Sequence, residues 1–150
     1  MLSRMRSVSV STELAMPAER ACELAQRSAV FRHVVWPLFI VRDRDVPELI
    51  EEGNPFSVRL YYFAGLLPGH RHEITVVERG PTLLRTTERG GIIRAWNHTL
   101  TFEPLGPGRC RYTDAIDIDA GALTWLPVAF AELMYRWRQR RWRHLAALAA

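Results

Sequence analysis

The sequence contains no lysine, only two cysteines and no long apolar run. All 20 basic residues among the 150 are arginines, and with 16 acidic residues they give a net charge of +4. Cys22 and Cys110 lie far apart and outside any Cys-x-x-Cys motif, which argues against a zinc finger or a disulfide framework. No stretch approaches the roughly 18 apolar residues of a membrane span, and the N-terminal residues lack the apolar core of a signal peptide. We therefore expect a soluble, unprocessed protein in a reducing, cytoplasmic setting.

Common catalytic and nucleotide-binding motifs are also missing. The sequence has no Gly-x-Ser-x-Gly, P-loop, Gly-x-Gly-x-x-Gly or His-Glu-x-x-His pattern. Nothing therefore indicates a serine hydrolase, a nucleotide-binding enzyme or a zinc peptidase of those types. We expect neither a cofactor nor a resident metal.

The composition is that of an ordinary folded protein, with 48% hydrophobic and 24% charged residues. Its length suits one domain, which we predict to span 1–150. The positive charge is concentrated near the C-terminus, where five arginines and no acidic residue lie between Leu133 and Ala150.

Hydrophobic periodicity predicts an α+β protein. Val8 and Val10 alternate with serines, which predicts a strand over 5–16, and Pro17 then begins a segment of two short helices broken near Ser28. The apolar run 36–41 is consistent with a further strand. Turn residues then separate five predicted strands, at 56–65, 70–78, 82–88, 92–103 and 109–120, which form an antiparallel meander.

A long C-terminal helix follows over 122–148. Its apolar residues recur at helical spacing and predict the stripe that packs on the sheet, formed by Leu126, Phe130, Leu133, Met134, Trp137, Leu145 and Leu148. Tyr135 and Trp142 lie away from this stripe and are candidates for contacts with a second subunit. We expect a monomer or a homodimer.

This order of elements resembles the START-like polyketide cyclase, dehydrase and lipid-transport superfamily. The most recognisable part is WNHTLTFEPLGPGRCRYTDAIDI, in which a strand ends in Phe-Glu-Pro, passes a glycine-rich turn and continues into Thr-Asp-x-Ile before the long helix. The resemblance covers essentially the whole chain. It implies a helix-grip fold, in which a curved antiparallel sheet of six or seven strands wraps around the last helix. It also implies a cavity between them for an apolar or aromatic small molecule.

The last two strands place two polar residues on an apolar surface. If their turn centres near Gly106, the facing pairs are Phe102 with Cys110, Leu100 with Tyr112, His98 with Asp114 and Trp96 with Ile116. These even-numbered residues are the more apolar set and should face the helix. His98 and Asp114 then form one of three things: a satisfied structural pair, a ligand hydrogen-bonding group, or an acid–base pair in which the carboxylate orients the imidazole.

Other polar residues are candidates for the cavity lining. His70 and His72 point to one face of their strand, where they could bind a metal with His98 or, as we favour, form a hydrogen-bonding rim. Further candidates are Arg59, Arg94, Tyr61, Tyr62 and Glu88, the last without an assigned face. The loop 65–69 is either a gate over the cavity or an ordinary hydrophobic cap.

Arg136, Arg140 and Arg143 form a basic ridge on the last helix. Such a ridge could meet phosphates or an acidic membrane, but cations near a helix C-terminus are also favoured by the helix dipole. We expect neither nucleic-acid binding nor stable membrane association.

We therefore predict a binding protein for a small hydrophobic or aromatic molecule. The predicted apolar wall consists of Trp96, Leu100, Tyr112, Ile116, Leu133 and Trp137, and the polar contacts are His98, Asp114, Arg94, His72 and Tyr62. The alternative is a cyclase, aromatase or dehydratase in which His98, oriented by Asp114, moves a proton next to a carbonyl and an arginine or tyrosine stabilises the enolate. A third possibility is a START-like regulator that acts through a partner; lipid transport is a further activity that the resemblance implies.

Overall fold

The computed structural model describes residues 5–41 and 46–149. The helices and strands in this part of the chain are β1 (Arg6–Leu14), α1 (Ala18–Ala25), α2 (Ser28–Val35), β2 (Phe39–Val41), β3 (Phe56–Tyr62), β4 (Leu67–Arg79), β5 (Leu83–Gly90), β6 (Ile93–Gly106), β7 (Arg109–Asp119) and α3 (Trp125–Ala149). A short 3-10 turn, Gly121–Leu123, precedes α3. The predicted order of elements is confirmed, including the short strand after α2.

The strands form one antiparallel sheet in the order β1-β7-β6-β5-β4-β3-β2. Each of β3 to β7 pairs with the strand before it, as a meander requires, and β1 joins the sheet beside β7. In β1 the side chain of Val8 is buried, while Ser7 and Ser11 face outward and bond Asp117 and Thr113 of β7. The period-two pattern of this strand therefore reflects one buried and one solvated face.

The two short helices begin where the sequence predicts. Pro17 stands immediately before α1, where its missing N–H costs no hydrogen bond. The helical segment is interrupted at Arg27, and α2 begins at Ser28, whose N–H donates to the carbonyl of Glu48. Side chains of α3 reach back to the end of α2: Trp137 Nε1 donates to the Trp36 carbonyl at 2.8 Å. None of the helices in 5–41 and 46–149 is long and apolar enough to cross a bilayer.

The predicted register of β6 and β7 is wrong by two residues. His98 lies opposite Ile116, Leu100 opposite Asp114 and Phe102 opposite Tyr112. The turn falls at 107–108, one residue later than expected, and an irregularity between Pro104 and Gly106 shifts the pairing again. Because a shift of two residues preserves the faces of a strand, the even-numbered side chains still point toward the core.

The predicted contact face of α3 is also wrong in part. The buried residues of this helix are Pro127, Ala131, Met134, Tyr135, Arg138, Gln139, Trp142 and Ala146. Leu133 is 56% exposed, whereas Tyr135 and Trp142, which were expected to face away, belong to the core. The buried face includes Arg138 and Gln139 in its middle, so a stripe of strongly apolar residues does not trace it. Gln139 can be buried because its amide donates to the Val10 carbonyl and to Asp114.

Candidate functional site: a cavity crossed by a polar row

A cavity of about 370 Å³ lies between the sheet and α3. Aromatic rings from strands and helices form much of its lining, namely Phe31, Phe39, Phe56, Tyr62, Phe63, Trp96, Phe130 and Tyr135. Leu84, Leu100 and Met134 are among its buried aliphatic residues. Phe63, Ile92 and Leu126 line it too but are exposed, so they mark its mouth. The lining is mostly apolar with a few polar groups, as is general for small-molecule pockets in proteins.

One polar row crosses this apolar surface. His72 on β4 and Glu88 on β5 form its first pair, with His72 Nε2 2.9 Å from Glu88 Oε2. Thr86 donates to the other oxygen of Glu88 at 2.7 Å, and His70 Nε2 lies 3.3 Å from His72 Nδ1. On β6, His98 stands directly opposite Thr86 and continues the row. All five side chains line the cavity.

Glu88 is held as a buried carboxylate. Burial raises the pKa of Glu88, but the hydrogen bond from His72 and the charges of His72 and His98 outweigh that effect, so the pKa lies below its ordinary value. The sequence left Glu88 without a face because the β5–β6 turn length was ambiguous. The signal that places it is the alternation of Leu84, Thr86 and Glu88 with exposed residues between them.

His98 and Asp114 meet diagonally across β6 and β7. His98 Nε2 lies 2.8 Å from Asp114 Oδ1, although the two residues are not register partners. Asp114 also accepts hydrogen bonds from Tyr112 at 2.6 Å and from Gln139 at 3.1 Å. Burial raises the pKa of Asp114, but the charge of Arg138 and the hydrogen bond from His98 outweigh that effect. The pKa therefore lies below its ordinary value, and Asp114 remains ionised. It lies behind His98 and does not line the cavity.

Tyr135 connects α3 to this pair. Its oxygen accepts a hydrogen bond from Trp96 Nε1 at 3.2 Å and lies 3.4 Å from His98 Nδ1. Burial, followed by the charge of Glu88, raises the pKa of Tyr135 well above its ordinary value, so its hydroxyl acts as a donor. If Tyr135 donates to Nδ1, the hydrogen of the His98 ring sits on Nε2, facing Asp114.

Arg138 is a charged residue of the cavity lining that sequence reasoning missed. It lines the cavity from α3 and is 6% exposed, whereas its neighbour Arg140 is exposed. Burial disfavours its charge, but the oxygens of Tyr112 and Asp114 raise the pKa of Arg138 above its ordinary value, so the guanidinium stays charged. The sequence offered no signal to separate this arginine from the four others in the basic C-terminal segment.

The structure brings together only part of the predicted site. Trp96, His98, Leu100, His72 and Tyr62 line the cavity. Tyr112, Asp114 and Ile116 are buried outside the lining, to which β7 contributes no residue.

Three other predicted site residues lie elsewhere. Arg94 is exposed near the start of β6, where its guanidinium lies close to Gly121. Leu133 faces solvent and Trp137 packs against the end of α2, because α3 presents a different face to the sheet than expected. These three positions are corrections to the predicted lining.

The loop predicted as a gate and the predicted absence of a metal concern the surroundings of the cavity. Leu66, in the loop predicted as a gate, is 82% exposed, while Phe63 just before it lines the cavity mouth. The gating role remains a prediction. Among residues 5–41 and 46–149, no group of three or more potential metal ligands is placed to hold an ion.

No family model and no curated protein matches the sequence. Solved structures do match. A START superfamily protein from Mycobacterium smegmatis is similar with a TM-score of 0.68 at 12% identity, covering 96% of this chain and 99% of that one. Norcoclaurine synthase from Thalictrum flavum, solved with dopamine and hydroxybenzaldehyde, gives 0.69 at 10% identity, covering 99% and 90%.

A third match is an aromatase/cyclase from a Streptomyces species, with a TM-score of 0.58 at 15% identity, covering 92% of this chain and 88% of that one. At identities this low, the structural similarity establishes the fold alone, and function has to be argued from the site. The curved seven-stranded sheet, the two short helices and the long C-terminal helix agree with these structures. The protein therefore has the START-like helix-grip fold.

Proposed function

We propose that the protein binds a small aromatic or otherwise apolar molecule in the cavity between the sheet and α3. The observation that carries the proposal is the aromatic lining of a cavity of about 370 Å³ that contains only a narrow polar row. Tyr62, Trp96 and Leu100 contribute to the apolar wall, and His72 and His98 are the polar contacts that orient the ligand. A similar fold holding dopamine and hydroxybenzaldehyde in a plant synthase supports the proposal.

A pair of adjacent substitutions tests this proposal. Met134→Trp places a larger side chain in the cavity, and Leu133→Trp makes a comparable change at an exposed neighbour on the same helix. Binding of 2-acetonaphthone and 2-isopropylnaphthalene is measured by equilibrium dialysis. Met134→Trp should weaken both probes by about tenfold or more, while Leu133→Trp should leave them within about twofold. If neither probe binds the wild-type protein, the proposal fails.

A second candidate function is proton transfer next to a carbonyl group, as in a cyclase or dehydratase. The observation that favours it is the ordered His98–Asp114 pair at the cavity wall. Asp114 fixes the ring through Nε2, and Nδ1 makes only a 3.4 Å contact with Tyr135, so Nδ1 is the atom able to take a proton. Breaking a C–H bond beside the carbonyl would place the proton on Nδ1 and negative charge on the ligand oxygen.

Deuterium exchange tests this second candidate directly. In deuterated water, NMR follows loss of the methyl protons of 2-acetonaphthone with and without the protein. Proton transfer predicts faster exchange with the wild-type protein and a loss of about 100-fold in His98→Gln at unchanged affinity. Exchange no faster than in buffer would leave the binding function alone. A His98→Gln protein that no longer folds would show that the pair is structural.

A further inference from the structure

Arg138 lines the cavity and also carries an unpaired hydrogen-bond donor. The side chain is 6% exposed, lines the cavity, and holds Cζ 5.8 Å from the centre of the Tyr135 ring. Its Nε–H has no acceptor within the described part of the chain. Buried donors are nearly always hydrogen-bonded, so an unpaired one at a cavity wall calls for an explanation. A bound molecule that supplies an acceptor is such an explanation.

The oxygens near Arg138 already take part in other hydrogen bonds, and that of Tyr112 interacts with the guanidinium itself. Asp114 accepts three hydrogen bonds. The Tyr135 oxygen accepts one from Trp96, and both oxygens of Glu88 are bonded. None of these hydrogen bonds involves the Nε–H of Arg138. An acceptor oxygen on a bound molecule would satisfy it.

We propose that Arg138 binds an acceptor oxygen, of a ketone or a carboxylate, carried by the molecule in the cavity. The proposal rests on the binding function above and adds the chemical class of its ligand: an aromatic or apolar body bearing a ketone or carboxylate group. A guanidinium is suited to this role because its N–H groups form strong, charge-assisted hydrogen bonds to oxygen. Tyr135, whose ring lies beneath Arg138, forms part of the same wall and helps to place the oxygen.

The test compares probes that share a naphthalene body and differ in the group at one position. 2-Acetonaphthone carries a ketone, 2-naphthoate carries a carboxylate, and 2-isopropylnaphthalene carries no acceptor. Each is titrated into the wild-type protein, Arg138→Met and the matched control Arg140→Met, which changes an exposed arginine two residues along the same helix. The comparison separates the contribution of the oxygen from that of the apolar body.

In Arg138→Met, the ketone or the carboxylate should lose about tenfold or more in affinity, as expected for one charged hydrogen bond, while the hydrocarbon changes by less than about threefold. Which oxygen probe loses more identifies the class that the site prefers. Arg140→Met should leave all three unchanged. An equal loss for all probes, or no loss for any, overturns the proposal. Failure of every probe on the wild-type protein instead refutes the binding function itself.

The wild-type protein alone provides a second measurement that does not depend on whether Arg138→Met folds. Infrared spectra of bound 2-acetonaphthone, labelled with ¹³C at its carbonyl, report the hydrogen bond to the oxygen. The stretch should lie below its value in hexane, because a charged hydrogen bond to the oxygen weakens the carbonyl bond. A carbonyl that vibrates in the wild-type protein as it does in hexane overturns the proposal.

Discussion

Replacing Asp114 by alanine should cause a large loss of stability. In the folded protein this buried carboxylate accepts hydrogen bonds from His98, Tyr112 and Gln139. Gln139 keeps its second bond, to the Val10 carbonyl, but the donors of His98 and Tyr112 are left without their acceptor. Each stranded buried donor costs about 1–3 kcal/mol.

Arg138 adds to this loss. Its buried guanidinium interacts with the charge of Asp114, and removing that charge leaves a buried cation less compensated. Breaking one partner of a buried charged pair costs about 3–5 kcal/mol, which agrees with two stranded donors. We therefore expect Asp114→Ala to lower the free energy of unfolding by about 3–5 kcal/mol.

Urea unfolding followed by circular dichroism measures this change. Asp117→Ala is the matched control, because Asp117 lies on the same strand but is exposed and bonded to Ser7 at the surface. That control should cost less than about 1 kcal/mol. An Asp114→Ala protein within about 1 kcal/mol of the wild type would refute the account of this network.

Two further predictions concern the loss of stability at acidic pH and the close contact between Gly69 and the neighbouring strand. The pKa values of Asp114 and Glu88 lie below their ordinary values, so the stability they contribute is present above the unfolded pKa of about 4 and is lost as the pH falls through the lower folded values. Unfolding free energies measured from pH 7 to pH 2 should therefore fall less steeply in Glu88→Gln than in the wild type, and equal slopes would contradict this. Gly69→Ala should destabilise the protein by more than about 1 kcal/mol, because a Cβ there would lie 2.6 Å from the Leu60 carbonyl oxygen. The check is a thermal melt of each variant, with Gly108→Ala as the control, since nothing lies within 4 Å of a Cβ at that position and its melting temperature should hardly change. Equal changes in melting temperature for the two variants would contradict the contact at Gly69.

Local patterns were sufficient to predict the elements of the fold. Val8 and Val10 alternate with serines because β1 has one buried face, and Pro17 stands immediately before a helix because its ring fixes a helical φ. Both signals depend on neighbouring residues alone. The meeting of His98 and Asp114 was also predictable, because it depends on the faces of two strands and survives a two-residue error in register.

The rest of the site depends on geometry that single residues do not encode. An irregularity in β6 between Pro104 and Gly106 set the true register, and the rotation of α3 decided that Arg138 enters the cavity while Leu133 does not. A hydrophobicity pattern ranks leucine above arginine at a core position. The charge of Asp114 and the oxygen of Tyr112 stabilise a buried guanidinium and reverse that order here, so only the three-dimensional structure places Arg138.

The most direct test of the central claim is mass spectrometry of the protein purified from its own host, sprayed first under native and then under denaturing conditions. The account predicts that the wild-type protein and Leu133→Trp release a small aromatic or apolar molecule, and that Met134→Trp, with its cavity filled, releases none. Wild-type protein that carries no molecule and also fails to bind 2-acetonaphthone would contradict the account. So would a bound molecule retained equally by Met134→Trp.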